Sequence, residues 1–271
     1  MRFVKAHAYG NDFLYVERRA TGSADAAQLA REMCDRHTGV GADGLILFER
    51  APAGASMRLF NADGGVAEVS GNGVRGLAAL LSQEGDRPEP LTIQTDAGPK
   101  RLTRTGRAGS RQTFRAAMGL PRDLRQVDID ADGIRVRAAV MDFGNPQCVV
   151  LGPLPDASTF QRLGPALERH PVFAHGTNVE FATVAAPDNL QILIWERGVG
   201  PTQSSGTGSC AALIAAASFG SAARAADVVA PGGAQRVEWR EDSVYLTGWA
   251  EVIVEGTWLR VEGASQSTPS S

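Results

Sequence analysis

The chain has 271 residues and a mass of 28.6 kDa; that is about 1.8 times the roughly 150 residues of an average domain, so we expect two domains. Its 43% hydrophobic and 21% charged residues exclude a disordered or collagen-like chain. The net charge of −3 provides no basic field for nucleic acid or an anionic membrane surface, and neither is expected as a partner.

The cysteine and lysine content narrows the class of protein further. Cys34, Cys148 and Cys210 are far apart and form no CxxC pair, which predicts neither a disulfide framework nor a thiolate metal site and indicates a cytoplasmic protein. The two lysines, Lys5 and Lys100, lie in settings unsuited to the Schiff base of a pyridoxal phosphate enzyme. Pyridoxal phosphate is therefore disfavoured as a cofactor, and no metal is expected.

The first half of the chain begins with a β-rich run that enters a Gly-Asn turn at Gly10 and Asn11. An S-G-N-G turn at Ser70–Gly73 then opens an apolar helix, predicted over Val74–Leu81 because it is rich in Ala and Leu. The strand-like segments of this half are Leu45–Phe48, Met57–Phe60 and Leu91–Thr95.

Two segments after this helix have the composition of surface loops. Gly85–Pro90 is one, and the Arg- and Gly-rich stretch Arg101–Gln112 is the other. Arg101–Arg115 could also pass for a basic patch, but Phe114 is its only aromatic residue. A solvated linker is the favoured interpretation.

The second half has the same order of elements. An S-G-T-G turn at Ser205–Gly208 opens an apolar helix predicted over Ser209–Ala217. The low-complexity tail 264–271 is predicted to be disordered. The strand-like segments are Val179–Thr183, Leu190–Trp195, Val244–Leu246 and Val252–Val254.

Four short motifs of the first half recur in the second, in the same order, at a shift of 134 or 135 residues. A period this long indicates duplicated domains, because solenoid repeats run about 20–50 residues. We therefore predict an α/β (α+β) protein with two pseudo-symmetric domains. The matched segments are Tyr9–Asp12 with Phe143–Pro146, Ala42–Ile46 with Thr177–Phe181, Met57–Asn61 with Ile192–Glu196, and Ser70–Gly73 with Ser205–Gly208.

The paired S-G-x-G turns are candidate anion sites. A helix N-terminus presents unpaired backbone N–H groups and partial positive charge, and glycine lets a ligand approach the backbone closely. An ordinary N-cap explains one such turn equally well. In a duplicated chain, however, a pseudo-twofold axis would bring Ser70 and Ser205 to opposite sides of one cleft.

Polar residues at the ends of apolar segments extend this candidate cleft. Turn formation is the alternative role for the asparagines, and a surface ion pair is the alternative for Glu196 and Arg197. Together they would suit a small zwitterion; no dinucleotide-binding or Walker A motif points to a nucleotide. These residues are Asn11, Asn61, Asn145, Asn178, Glu196 and Arg197.

A set of motifs from residue 7 to residue 208 resembles the diaminopimelate epimerase family, whose members are cofactor-independent two-base racemases. The motifs are HAYGNDF, RHTGVGADG, FNADG-x-x-x-E-V-SGNG-x-R, GNPQ, TNVEF and ERGVG-x-TQS-S-G-T-G. The resemblance covers residues 1 to about 254. It implies two domains, each a mostly antiparallel sheet wrapped around a central helix, with the active site between them.

The same resemblance implies domain limits. The N-terminal domain would cover residues 1–115 and be completed by about 256–263, where a last strand near Thr257–Val261 crosses back, and the C-terminal domain would cover 116–255. The reaction implied by default is the conversion of LL-2,6-diaminopimelate to meso-diaminopimelate, an isomerase step of lysine and peptidoglycan biosynthesis. A homodimer and a cytoplasmic location are also implied.

The resemblance assigns roles to named residues. The two acid/base positions fall on Ser70 and Ser205, where the family has cysteines that face each other across the α-carbon. The backbone at Gly71, Asn72, Gly206 and Thr207 would hold the α-carboxylate of the substrate. The implied substrate contacts are Asn11, Asn61, Gly71, Asn72, Asn145, Asn178, Glu196, Arg197, Gly206 and Thr207.

This chain departs from the family pattern at several positions. Ser70 and Ser205 replace both cysteines, and an alcohol needs an adjacent base where a thiol does not. Gly44, Gln147 and Pro201 stand where the family commonly has Gln, His and Glu. A double substitution made to trap substrate would explain the serines but not these three, so natural divergence is the favoured explanation.

Two alternative functions stay open at the level of the sequence. One is another proton-transfer enzyme, a dehydratase or isomerase, in which a carboxylate such as Glu68 or Glu196 is the base. The other is a catalytically silent protein that binds an amino acid through the two turns.

Overall fold

Seventeen strands and four α-helices make up the part of the chain that the computed structural model describes, residues 1–83 and 89–259. The helices are α1 Ala26–Cys34, α2 Gly71–Gln83, α3 Ala157–Glu168 and α4 Gly206–Phe219. The strands up to residue 131 are β1 Arg2–Ala8, β2 Asn11–Glu17, β3 Gly44–Ala51, β4 Gly54–Asn61, β5 Val66–Ala67, β6 Leu91–Thr95, β7 Gly98–Ala108, β8 Arg111–Gly119 and β9 Arg122–Ala131. Those of the C-terminal half are β10 Ile134–Asp142, β11 Pro146–Leu151, β12 Asn178–Ala186, β13 Asn189–Glu196, β14 Gly200–Thr202, β15 Ala225–Ala230, β16 Gly233–Trp239 and β17 Val244–Thr257.

The duplication seen in the sequence is present in the topology. In the first half β2 pairs parallel with β3, β3 antiparallel with β4, and β4 parallel with β6. In the second half β11, β12, β13 and β15 make the same three pairings in the same order. α1 and α3 follow β2 and β11, and α2 and α4 occupy equivalent places further on.

The first sheet closes around α2. Its strands pair in a ring, β1–β2–β3–β4–β6–β7–β8–β17, and β17 returns to β1. The helix is buried on nearly every side, as its Ala- and Leu-rich sequence predicts, and Leu77, Ala78 and Leu81 are fully inaccessible to solvent. α2 is therefore held rigidly with its N-terminus at one end of the ring.

Helices cover both faces of these strands. Alternate residues of β2, such as Tyr15 and Leu14, belong to two different cores, one around α2 and one against α1. In the second half α4 packs on the inner face and α3 on the outer face in the same way. This explains why the central strands are continuously apolar.

β8 and β17 join the two sheets. β17 pairs with β16 through residues 244–247, with β8 through residues 244–251, and with β1 through residues 251–257. A single long strand therefore passes from the C-terminal sheet to the N-terminal sheet. Residues 251–257 of this strand pair with β1 of the first half, and of the predicted strand near Thr257–Val261 only residues 257–259 are described. Residues 260–271, which include the predicted tail, lie outside the described residues.

The prediction of a loop over Arg101–Gln112, with a linker reaching Arg115, is wrong. This segment lies in the hairpin of β7 and β8, where Leu102 and Phe114 point into the core while Arg101, Arg107 and Arg111 are exposed. The strands were missed because the segment is rich in arginine and only a few of its residues point into the core. Of the predicted loop Gly85–Pro90, residues 85–88 lie outside the described residues.

Both central helices are longer than predicted, because each begins directly after the serine of its S-G-x-G turn. The β-rich run predicted before the second Gly-Asn turn is β10, whereas α1, α3, β9, β15 and β16 were not predicted. Across residues 1–83 and 89–259, every helix is too short or too polar to span a bilayer.

Candidate active site

The N-termini of α2 and α4 meet between the two halves of the molecule. A Cβ built on Gly71 would lie only 4.0 Å from the Cα of Gly206, so the two backbones approach closely where both residues lack side chains. Each helix is preceded by its serine, Ser70 or Ser205. The two S-G-x-G turns therefore form one site.

The two serines have the same local structure. The Oγ of Ser70 accepts a hydrogen bond from the N–H of Gly73 at 3.1 Å, and the Oγ of Ser205 accepts one from the N–H of Gly208, also at 3.1 Å. Accepting this bond leaves each hydroxyl proton free to be donated elsewhere. Ser70 is half-buried, and Ser205 is buried.

Capping by the serines satisfies only one of the unpaired N–H groups at each helix start. The first two N–H groups, those of Gly71 and Asn72 in α2 and of Gly206 and Thr207 in α4, have no acceptor within their helices. The partial positive charges of both helix dipoles meet at the same place. The arrangement suits a carboxylate or another small anion.

Glu196 is an acidic residue of the same site. It ends β13, in the neighbourhood of Ser205 and Thr202. Burial is the main cause that raises the pKa of Glu196 to about 7, against which the hydroxyl groups of Ser205 and Thr202 lower it, and the charge of Asp43 adds a smaller increase. A carboxylate with this pKa can act as a general base at neutral pH.

The turn after Glu196 is held by a buried carboxylate of α3. Glu168 accepts hydrogen bonds from the indole N–H of Trp195 and from the N–H of Gly198, both at 2.8 Å. The N–H of Arg197 donates to the side chain of Asn178 at 3.0 Å. The guanidinium of Arg197 is exposed and donates to the carbonyl of His175.

In the N-terminal half, a chain of amides leads to the helix starts. Asn72 donates to Asn11 at 3.3 Å and to the carbonyl of Ser204 at 3.4 Å, so it connects the two halves. Asn11 in turn donates to Asp43 at 2.7 Å. Arg36 forms an ion pair with Asp43 at 2.8 Å. Asn61, at the end of β4, makes no side-chain hydrogen bond in the described part of the chain.

In the C-terminal half, the equivalent network contains a buried acid. The side-chain amide of Gln147 lies 3.0 and 3.2 Å from the carboxyl oxygens of Glu180, and Gln147 donates to Asn145 at 2.6 Å. Burial, and then the charge of Glu196, raises the pKa of Glu180 well above its usual range. A protonated Glu180 can donate to the amide oxygen of Gln147, which leaves the amide nitrogen for Asn145.

Glu180 was missed at the level of the sequence, and Arg75 was weighed there only as a carboxylate-binding residue or a surface ion pair on its helix. Glu180 lies within the apolar strand β12, against the first turn of α4, where a Cβ on Gly208 would come within 2.5 Å of its Oε1. Arg75 of α2 is buried and reaches Asn72 at 3.3 Å and Gln235 of β16 at 3.0 Å. A charged residue inside an apolar segment was the signal in both cases.

Comparisons with known proteins agree with one another. A family model described as diaminopimelate epimerase matches residues 3–122 and 139–253. A protein named diaminopimelate epimerase from Desulforudis audaxviator (strain MP104C) is 39% identical over 282 residues, which cover 96% of this chain and 100% of that protein. One of the same name from Pelotomaculum thermopropionicum is 38% identical and covers 95% of this chain and 99% of its own.

Solved structures show the same fold. The crystal structure of a probable proline racemase from Agrobacterium radiobacter K84, with bound carbonate, superposes with a TM-score of 0.70 at 18% identity and covers 95% of this chain and 92% of its own. That similarity identifies the fold of both halves and their arrangement.

Proposed function

The chain belongs to the diaminopimelate epimerase family, and we propose that it transfers a proton at the α-carbon of diaminopimelate, converting the LL isomer to the meso isomer without a cofactor. The observation that carries this proposal is the meeting of two serine-capped helix N-termini in one site. Such a site can bind an α-carboxylate and place one hydroxyl group on each side of the α-carbon.

The proposed contacts follow from the polarity of the site. The N–H groups of Gly71, Asn72, Gly206 and Thr207 bind the α-carboxylate and stabilise the negative charge that develops when the α-proton leaves. Ser70 and Ser205 are the acid/base positions. The residues that orient the amino groups and the distal carboxylate are Asn11, Asn61, Asn145, Asn178, Glu196 and Arg197.

A serine hydroxyl needs a neighbouring base to remove the α-proton of the substrate. A thiol with a pKa near 8.5 is about 3% ionised at neutral pH, whereas an alcohol is essentially un-ionised and depends on a neighbouring base. The carboxyl group of Glu196, whose pKa the Ser205 hydroxyl lowers, is the proposed acceptor of the hydroxyl proton. The helix N-termini lower the free energy of the carbanion that results.

The proposed substrate is a free amino acid and the proposed location is the cytoplasm. Cys34, Cys148 and Cys210 are all free and buried, which fits a reducing compartment. A homodimer is proposed from the family resemblance alone, and light scattering on the purified chain tests it.

Incubation of the purified protein in D2O with LL- or meso-diaminopimelate tests the function. We expect deuterium at the α-carbon and interconversion of the isomers, followed by NMR and chiral chromatography, and loss of both in Ser205→Ala. Calorimetric binding without exchange would instead indicate a silent amino-acid-binding protein. Exchange that never leads to inversion would indicate an enzyme with a different reaction on the same fold.

A further inference from the structure

Asp43 occupies the position in the first half that Asn178 occupies in the second, and the two side chains differ in polarity. Asn178 donates to the main-chain carbonyl of Pro146 at 3.2 Å, and a proline has no N–H group of its own. Asp12 stands in the equivalent place, and its N–H donates to Oδ2 of Asp43 at 3.0 Å. The same oxygen accepts a hydrogen bond from the side-chain NH2 group of Asn11 at 2.7 Å. The first half therefore has a pure acceptor beside Asn11.

A chain of hydrogen bonds joins Asp43 to a buried arginine through two amides. Beyond Asn11, which donates to Asp43, Asn72 donates to Oδ1 of Asn11 at 3.3 Å. At the far end the guanidinium of Arg75 donates to Oδ1 of Asn72, also at 3.3 Å. A guanidinium can only donate and a carboxylate can only accept. The two amides between them therefore have a single orientation in which every one of these bonds is made.

The orientation of the Asn72 amide connects the two halves. Its NH2 group also donates to the main-chain carbonyl of Ser204 at 3.4 Å, directly before the serine that caps α4. Asn72 is 3% exposed, so its polar atoms depend on partners in the protein. In a reversed amide, the oxygen would face the carbonyl oxygen of Ser204 and the NH2 group would face the guanidinium of Arg75. The orientation set by the chain therefore holds the start of α2 against the start of α4.

We infer that Asp43 is a positioning residue, which fixes the polarity of the Asn11 and Asn72 amides and thereby aligns the two helix N-termini on one carboxylate. This inference rests on the proposed function, in which N–H groups of both helix starts bind the α-carboxylate of the substrate. Asp43 acts through Asn11 and needs no contact with the substrate. Arg36 donates to Oδ1 of Asp43 at 2.8 Å, which leaves Oδ2 for Asn11 and for the N–H of Asp12.

The variant Asp43→Asn removes the single polarity of this position. Its NH2 group must face either Arg36, or Asn11 and the N–H of Asp12, so a donor opposes a donor in both orientations. We expect KM for diaminopimelate to rise by about tenfold, the effect of one lost hydrogen bond, with a smaller change in kcat. The control Glu241→Gln removes one negative charge in the exposed turn between β16 and β17 and should leave KM unchanged. A wild-type KM in Asp43→Asn would overturn the inference.

Two double variants separate the polarity of Asp43 from its charge. In Arg36→Met/Asp43→Asn the opposing donor is gone, so the amide oxygen can accept from Asn11, and KM should equal that of Arg36→Met alone. Arg36→Met/Asp43→Leu has the same net charge but no acceptor, and its KM should stay about tenfold higher. Equal KM values in the two double variants would show that Asp43 acts through charge alone and would overturn the inference.

The side chain of Asn72 gives a readout that does not depend on activity. Within residues 1–83 and 89–259 no hydrogen bond joins Asn72 to Asp43, so a change at Asn72 reports what passes through Asn11. The buried NH2 protons of Asn72 should exchange slowly with solvent in 1H–15N NMR. Asp43→Asn should increase their exchange rate by about tenfold, and thermal unfolding of both proteins verifies that the fold is kept. An unchanged exchange rate would overturn the inference.

The proposed function can fail or stand separately from this inference. If the wild-type protein epimerises diaminopimelate while Asp43→Asn keeps the wild-type KM and the wild-type exchange of Asn72, the inference is overturned and the proposed function stands. If the wild-type protein neither binds any diaminopimelate isomer in calorimetry nor exchanges its α-proton, both are overturned.

Discussion

At the scale of single residues, the serine that caps each central helix carries two functions in one hydroxyl group. Its oxygen accepts the N–H of Gly73 or Gly208, and its proton remains available to a substrate or a base. A cysteine at the same position is a weaker cap but a stronger acid. Serine at this position therefore stabilises the helix more than cysteine would, but it is the less reactive acid/base group.

Replacing both serines by cysteine tests whether reactivity rises while helix stability falls. The double variant Ser70→Cys/Ser205→Cys should increase the rate of epimerisation by at least about 100-fold, since each thiol is partly ionised at neutral pH without a base. Its free energy of unfolding should fall by about 1 kcal/mol for each weakened cap. Chiral chromatography and urea unfolding measure the two effects, and the single variants are the controls. No gain in epimerisation with any diaminopimelate isomer would show that the pocket has diverged beyond its acid/base residues.

Glu180 gives the stability of the protein a pH dependence of its own. Its pKa is raised in the folded state, so between the unfolded and folded pKa values the native protein binds the extra proton. Stability is then fully present below the unfolded pKa and falls by about 1.4 kcal/mol for each pH unit above it, until the folded pKa is reached.

The variant Glu180→Gln should remove this dependence, because a neutral amide has nearly the same shape as the protonated acid. Urea unfolding at a series of pH values should show the wild-type protein losing stability relative to the variant as the pH rises from about 4.3. The control is Glu241→Gln, which should follow the wild-type curve. Parallel curves for wild type and Glu180→Gln would mean that the buried acid is ionised.

The sequence located the serines but not the buried acid. An S-G-x-G turn before an apolar helix is a local pattern, so Ser70 and Ser205 can be assigned as helix caps from neighbouring residues alone. The environment of Glu180 depends on the parallel register of β11 and β12, which aligns Gln147 with Asn178, and on the position of α4. Neither the register of these two strands nor the position of α4 can be predicted from the few residues around Glu180.

At the scale of elements, the hairpin of β7 and β8 shows why a strand can be missed when it is predicted from the sequence alone. Its exposed face carries most of the arginines, while Leu102, Gln112 and Phe114 point inward. Gln112 is fully buried and donates to the carbonyl of Ala79 in α2 at 2.8 Å. A polar inward residue breaks the alternation of apolar and polar residues by which a strand is recognised.

Truncating the inward aromatic residue of this hairpin should destabilise the N-terminal half. Phe114 is 1% exposed and packs in the core around α2, so Phe114→Ala should lower the free energy of unfolding by about 3–5 kcal/mol. Arg101→Ala, on the exposed face of β7, is the matched control and should change it by no more than about 0.5 kcal/mol. Equal effects in urea unfolding would place the hairpin outside the cooperative core.

At the scale of the whole molecule, the repeat predicted two similar halves, and the structure has them. Four motifs suffice for that prediction, because all four relate the first half to the second by nearly the same displacement along the chain. The sharing of β8 and β17 between the sheets could not be predicted in this way. A constant shift relates equivalent elements but does not say which sheet the last strand joins.

A buried arginine also connects the halves. Arg75 lies in α2, contacts Gln235 of β16, and stacks over the ring of Tyr9 with its guanidinium carbon 5.6 Å from the ring centre. In the described part of the chain it has no carboxylate partner. An uncompensated buried cation is unfavourable by itself, so its positive potential is most useful when an anionic substrate occupies the adjacent helix N-termini.

The charge of Arg75, rather than its packing, should therefore contribute to binding. At an effective dielectric constant near 20, two opposite unit charges about 10 Å apart attract each other by about 1.7 kcal/mol, and an attraction of this order corresponds to a change in affinity of roughly tenfold. Arg75→Met should weaken calorimetric binding of diaminopimelate by about that factor, whereas Arg75→Lys should retain most of the affinity because it keeps the charge. Thermal unfolding of both variants separates this effect from a loss of fold. Equal losses of affinity in the two variants would assign Arg75 a purely structural role between the halves.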